Sequence, residues 1–170
     1  MQRAVPIASH DDIPAEYQGT PVERLLAWHN GFADEQEPVV GAEMLIGMCM
    51  DNRKKLRIPE NFAFILRAGG GNLRPSEFKV SFAIAVGGVR AIAVIVHNHC
   101  GMVGLSSRRE QFVEGLIDAG WEPEAAEQHF DSYAPLFEIG NEIDFVLAEA
   151  KRLRARYPKV LVAPLLYNVD

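Results

Sequence analysis

The chain has 170 residues, 48% of them hydrophobic, which suffices for the core of one domain and gives no reason to expect several. Seventeen Lys and Arg against 23 Asp and Glu give a formal net charge of −6. Without a basic stripe to neutralise a phosphate backbone or an anionic bilayer, neither nucleic acid nor a membrane is an expected partner. The first 19 residues lack the apolar centre of a signal peptide, and later apolar runs are too short or interrupted to cross a bilayer, so the expected address is the cytoplasm.

Residues 1–19 mix Pro6, Pro14, Gly19 and several acids with no sustained period, which predicts an irregular N-terminal arm. Thr20-Pro21-Val22-Glu23 combines an N-cap hydroxyl, a proline at the first helical position and a capping-box glutamate, predicting a helix through about Ala33. Three short apolar runs, Glu43–Cys49, Phe62–Leu66 and Ala91–Val96, predict strands buried on both faces and hence a parallel sheet. Between the second and third, Phe78, Phe82 and Ala85 recur at helical spacing from Ser76 to about Gly87, the crossover that parallel strands require.

Ser107-Arg108-Arg109-Glu110 reads as another capping box, opening a helix to about Gly120, and Pro123 opens the next. Asn141–Arg156 is a third helix in this half, with Ile143, Val146, Leu147, Ala150 and Leu153 on one face. Lys159–Ala163 is the last strand expected. The prediction is a single domain over residues 1–170 of the α/β class, a mainly parallel sheet of about four strands flanked by helices.

Candidate chemistry gathers where strands end. Cys49 closes the first strand, His97 and Cys100 follow the third, and open α/β sheets bind ligands at their carboxyl edges. Cys49 and Cys100 are the two cysteines, and in a reducing compartment such a pair reads as metal-binding or catalytic sooner than as a disulfide. Two thiolates and one imidazole suit zinc, and three protein ligands leave the fourth tetrahedral position for water. Taken singly, the same residues read as two small buried hydrophobes and a loop histidine.

Their flanks change that balance. Cys49-Met50-Asp51-Asn52-Arg53 matches C-x-D-x-R, and His97-Asn98-His99-Cys100-Gly101 matches H-x-x-C-G. Both resemble the signatures of the beta-class carbonic anhydrases, as do Arg67-Ala-Gly-Gly-Gly-Asn72 and Gly88-Val-Arg-Ala-Ile92. The resemblance is strong over residues 40–104 and elsewhere rests on the order of elements. It implies that Cys49, His97 and Cys100 hold zinc, with zinc-bound hydroxide attacking carbon dioxide to give bicarbonate, and that Asp51 and Arg53 form a catalytic dyad beside the metal. It further implies Gln36 as a substrate contact and a homodimer or higher assembly with its site at the subunit interface. Gly70, whose lack of a side chain lets the backbone approach closely, and Gly101 are further candidate substrate contacts. Phe32, Phe62, Phe64 and Phe82 are candidate linings of an apolar pocket.

The sequence departs from the family pattern at Val96, where a glycine is usual, and at Asn98-His99, where a threonine-aspartate type pair is usual. No T-G pair follows the final strand within these 170 residues. His99 is open to three readings: a proton shuttle, an alternative ligand or a plain loop residue. Relatives that hydrolyse carbonyl sulfide or carbon disulfide use the same ligand set, so the motifs leave those substrates as alternatives. A non-catalytic zinc module, with Asp51 closing the coordination sphere, is the alternative from another class.

Overall fold

The computed structural model describes residues 4–34, 39–53 and 55–170. Helix α1 (Pro21–His29) begins where the spacing predicts, with the Thr20 hydroxyl accepting from the Val22 N–H at 3.2 Å. The Glu23 carboxylate accepts from the Gly19 N–H at 2.5 Å, one residue before the expected capping-box donor. The helix stops at His29, short of Ala33. The Asn30 side chain takes the Leu26 carbonyl at 2.8 Å, and Gly31 turns the chain away at φ +77°.

Four strands form one parallel sheet in the order β2-β1-β3-β4, comprising β1 (Met44–Met48), β2 (Ala63–Arg67), β3 (Ala91–His97) and β4 (Leu161–Tyr167). The central strands β1 and β3 are buried along their whole length, as continuous apolar runs require. β2 is not: it is an edge strand with Phe64 and Ile65 exposed, because one flank and part of one face have no cover. A short apolar run identifies a strand without fixing its place in the sheet. β4 runs four residues past the expected end at Ala163 and pairs His97 with Tyr167, and as an edge strand it tolerates Pro164.

Helix α2 (Glu77–Ala85) supplies the β2-to-β3 crossover but buries Val80 and Ala83, leaving Phe78 and Phe82 exposed. The aromatic spacing therefore marks the helix and misassigns its inner face. The capping box expected at Ser107–Glu110 does not form. A 3-10 turn over Leu105–Arg108 intervenes, Ser107 Oγ donates to the Gly104 carbonyl at 2.7 Å, and α3 (Arg109–Asp118) starts one residue later than that box implies. α4 (Pro123–Phe137) starts at its proline, and α5 (Glu142–Arg156) at Asn141, whose side chain accepts from the Asp144 N–H at 3.0 Å. On α5 the buried positions are Val146, Glu149, Ala150 and Leu153, while Leu147 faces out.

The sheet separates two cores by its period-two alternation. Met44, Ile46, Met48, Ala93 and Ile95 face α1 and Phe62, whose ring meets Trp28 edge-on at 4.8 Å. Leu45, Ile92, Val94 and Val96 face Leu73, α2 and α5. Residues 4–19 are irregular apart from two 3-10 turns, His10–Asp12 and Ala15–Tyr17, and they pack on their own domain through buried Ile13 and Tyr17. At about 25 cal/mol per Å² of apolar surface, burying a side chain such as Ile13 contributes roughly 1.5–3 kcal/mol, which fixes the lead-in against α1.

Candidate metal centre

β1 and β3 are adjacent and parallel, with Met48 opposite Ile95, so their carboxyl ends deliver Cys49 and His97 to the same edge. The chain then turns through His99 at φ +54° and returns Cys100 to that point. The two sulfurs and a His97 ring nitrogen all lie within 4.8 Å of one another, and all three residues are buried. Both cysteines are free, so they are donors and no disulfide exists between them.

His97 Nδ1 lies 2.8 Å from the Asn98 carbonyl, a contact that needs a proton on Nδ1 and leaves Nε2 as a bare lone pair. That Nε2 is buried and has no hydrogen-bond partner among the described residues. A buried polar atom left so costs about 1–3 kcal/mol. Facing two thiols, it is a nitrogen ready to coordinate, and a Cys-His-Cys donor set fits a borderline-soft divalent ion such as zinc.

The thiols differ. A hydrogen bond from Cys100 brings Cys49 below the usual thiol range against the opposing effect of burial, helped by the backbone at Asp51 and by the Gly70 N–H at 3.3 Å. Cys100 is pushed up because it supplies that shared proton and is itself buried. One thiolate is thus favoured before any cation arrives.

Asp51 and Arg53 meet beside this cluster. Arg53 Nε donates to both Asp51 oxygens at 3.1 and 2.8 Å, its second guanidinium nitrogen lies 2.7 Å from Oδ2, and its backbone N–H takes Oδ1 at 3.0 Å. These bonds, the side-chain ones first, hold the Asp51 carboxyl below the usual carboxylate range. Asp51 Oδ2 is 4.0 Å from His97 Nε2, adjacent to the donor cluster but not a member of it. Arg53 also donates to the His99 carbonyl at 3.1 Å, tying the two motif loops together.

The supporting residues were harder to foresee. Arg67, at the end of β2, donates to the carbonyls of Cys49 and Asp51 at 3.0 and 3.3 Å and so clamps the loop that carries both. Asn72 is buried and donates to the Leu136 carbonyl at 2.8 Å, and the Glu142 carboxylate accepts from the Cys100 N–H at 3.4 Å. Arg67 and Asn72 bound the glycine stretch that the sequence flagged. Nothing local marks Glu142, which comes from 42 residues downstream.

A cavity of about 20 Å³, room for one water, opens on Cys49, Asp51, Arg53 and His97, walled by Met48, Ile95, Val96, Tyr167 and Val169. The expected phenylalanines are not in this wall: Phe62 is in the α1 core with Phe32 packed against that core, while Phe64 and Phe82 are exposed. Gly70 sits at φ +63° with its N–H on the Cys49 sulfur. Gly101 is exposed in the turn after Cys100, outside the cavity wall. His99 points outward with Nε2 3.4 Å from an Asp170 carboxylate oxygen. Gln36 lies outside the described residues.

Neither a protein-family model nor a curated protein matches the chain by sequence. Solved structures do match its fold. A carbonic anhydrase from Glaciozyma antarctica aligns with a TM-score of 0.62 at 23% identity, over 92% of this chain and 95% of that one. The beta-carbonic anhydrase isoform I of Trichomonas vaginalis aligns at 0.62 and 18% identity, over 88% and 90%. The apo form of a carbon disulfide hydrolase aligns at 0.53 and 21% identity, over 92% and 87%. The four-stranded parallel sheet flanked by helices is therefore the fold of the beta-class carbonic anhydrases.

Proposed function

We propose that the chain is a zinc-dependent carbonic anhydrase interconverting carbon dioxide and bicarbonate. The observation that carries this reading is the bare, buried Nε2 of His97 between two cysteine sulfurs, with the Asp51–Arg53 pair at its side. Cys49, His97 and Cys100 would hold the ion. Bound zinc supplies Lewis acidity, which lowers the pKa of a coordinated water to about 7.

The remaining work falls to the chain. Asp51 Oδ2 stands close enough to the cluster to accept a hydrogen bond from a group at its open side. Arg53 fixes that carboxylate by charge-assisted bonds and keeps it ionised, so its role is orientation. Met48, Ile95, Val96 and Tyr167 present an apolar wall suited to a small linear molecule without charge.

The same wall suits carbon disulfide or carbonyl sulfide, and a carbon disulfide hydrolase shares the fold, which supports sulfur hydrolysis as a second reading. Measuring kcat/KM for carbon dioxide, carbonyl sulfide and carbon disulfide on one zinc-loaded preparation separates these, because that ratio defines specificity. Carbon dioxide is the expected preferred substrate. Sulfide release without bicarbonate formation favours the second reading, and zinc with neither activity favours a non-catalytic module.

The reading extends to a homodimer or larger assembly. It is supported by the free edge of β4 beside an apolar groove of about 830 Å³ bounded by Ile7, Leu25, Leu26, Leu165 and Leu166. Sedimentation velocity should report a dimer or larger at micromolar concentration, and a fully active monomer contradicts it. Among the described residues no helix is long and apolar enough to cross a membrane.

A further inference from the structure

The α3–α4 hairpin stands apart from the sheet. It closes a small core of its own from Val113, Ala126 and Phe130, with Leu105, Leu116 and Ala134 packed on it, and none of these belongs to either sheet-face core. Among the described residues, the rest of the domain holds its base, where the Ile139 N–H donates to the Met102 carbonyl at 3.0 Å and Asn72 holds the Leu136 carbonyl.

On this projecting element large apolar side chains face solvent. Trp121 is 42% exposed, Tyr133 52% and Phe112 37%. They form one continuous face around His129, whose ring centroid lies 5.0 Å from Trp121, 4.8 Å from Tyr133 and 6.1 Å from Phe112. Contiguous exposed aromatics of this kind mark interaction sites, because leaving them in water forgoes their burial energy.

Charge identifies the occupant. Residues 108–138 contain eight carboxylates and two arginines, a net −6 that equals the net charge of the whole chain, so the remainder is balanced. Arg109 is held by Asp131 through bonds of 2.8 and 2.9 Å and contributes little free positive charge. Glu110, Glu114, Asp118 and Glu122 have no cationic partner among the described residues, and the last two flank Trp121 at the hairpin tip. Pairing with the same hairpin of a second copy sets −6 against −6, and a wholly apolar partner desolvates these carboxylates without compensation. A planar cation satisfies both features, stacking on the rings and pairing with the acids.

We propose that the aromatic face of the α3–α4 hairpin docks an arginine-rich segment of a partner protein. Guanidinium groups lie over Trp121 and Tyr133, and Asp118 and Glu122 take their N–H donors. The site is independent of the metal centre and of the activity proposed for it.

The test uses the full chain and a fluorescein-labelled peptide of alternating arginine and glycine, followed by anisotropy across a salt series. Trp121 emission is a second readout, since the other tryptophan, Trp28, is buried. Binding should weaken as salt rises and should shift Trp121 emission. Trp121→Ala and Tyr133→Ala should each weaken it about three- to tenfold with the circular dichroism spectrum unchanged. Asp118→Asn with Glu122→Gln should flatten the salt dependence, and a lysine-glycine peptide should bind less tightly than the arginine one.

Absence of binding, or equal binding by wild type and both aromatic variants, overturns the proposal. So does a smaller sedimentation coefficient for Trp121→Ala than for wild type, which assigns the face to a second copy of the chain.

Discussion

The Gly70 N–H donates to the Cys49 sulfur at 3.3 Å, and it can do so because Gly70 adopts φ +63°. A Cβ at this position would meet Ile139 Cδ1 at 3.2 Å and Met102 Cβ at 3.4 Å while adding left-handed strain. Gly70→Ala should therefore cost about 1–2 kcal/mol, a fall in Tm of roughly 2–8 °C for a chain of this size. The backbone shift that relieves these contacts should carry the N–H away from the Cys49 sulfur and weaken zinc about 10–100-fold in chelator competition. An unchanged affinity would show that this hydrogen bond does not tune the thiolate.

Asp51→Asn keeps the shape of the side chain and removes the charge that Arg53 grips. The variant should retain its metal by elemental analysis and lose about 10–100-fold in hydration rate, as expected when a group that orients the reacting centre is removed. Loss of metal instead would make Asp51 a ligand, and an unchanged rate would exclude the catalytic role proposed for it.

Glu149 is fully buried on α5 and is bound by Arg152 at 2.7 and 3.0 Å and by Arg74 at 3.3 Å. Arg152→Ala should cost about 3 kcal/mol in urea unfolding by leaving that buried carboxylate with Arg74 as its remaining partner, and adding Glu149→Met should recover most of the loss. Glu77 belongs to the same network. Burial raises its carboxyl, but bonds from Tyr157 and Arg152 and the charges of Arg152 and Arg156 outweigh that and leave it below 4.5. A depressed folded-state value contributes stability above the unfolded value that disappears as pH falls through the folded one. The Tm difference between wild type and Glu77→Gln should be full at neutral pH and shrink below about pH 4.5. A constant difference would assign Glu77 a packing role alone.

Those parts of the fold and site that depend on local pattern were legible in the sequence. Cys49, Asp51 and Arg53 lie within five residues, His97 and Cys100 within four, and each cluster follows a strand that its apolar run reveals. What depends on distant contacts was not. Tyr167 reaches the cavity wall because β4 continues in register with β3, whereas its sequence ceases to look like a buried strand at Ala163. Phe78 and Phe82 announce α2 and then face solvent, since helical spacing cannot say which side meets the sheet. Ser107 spends its hydroxyl on the Gly104 carbonyl, a local bond that competes with the capping box its sequence spells.

Zinc-dependent hydration at the Cys49-His97-Cys100 cluster rests on the metal and on the thiolate that would hold it. Stopped-flow measurement of carbon dioxide hydration, with zinc-loaded wild type and Cys49→Ser compared at equal protein concentration, tests it most directly. Wild type should accelerate hydration strongly, and Cys49→Ser should run at the uncatalysed background. Wild-type protein no faster than background, or a Cys49→Ser variant as fast as wild type, would contradict it.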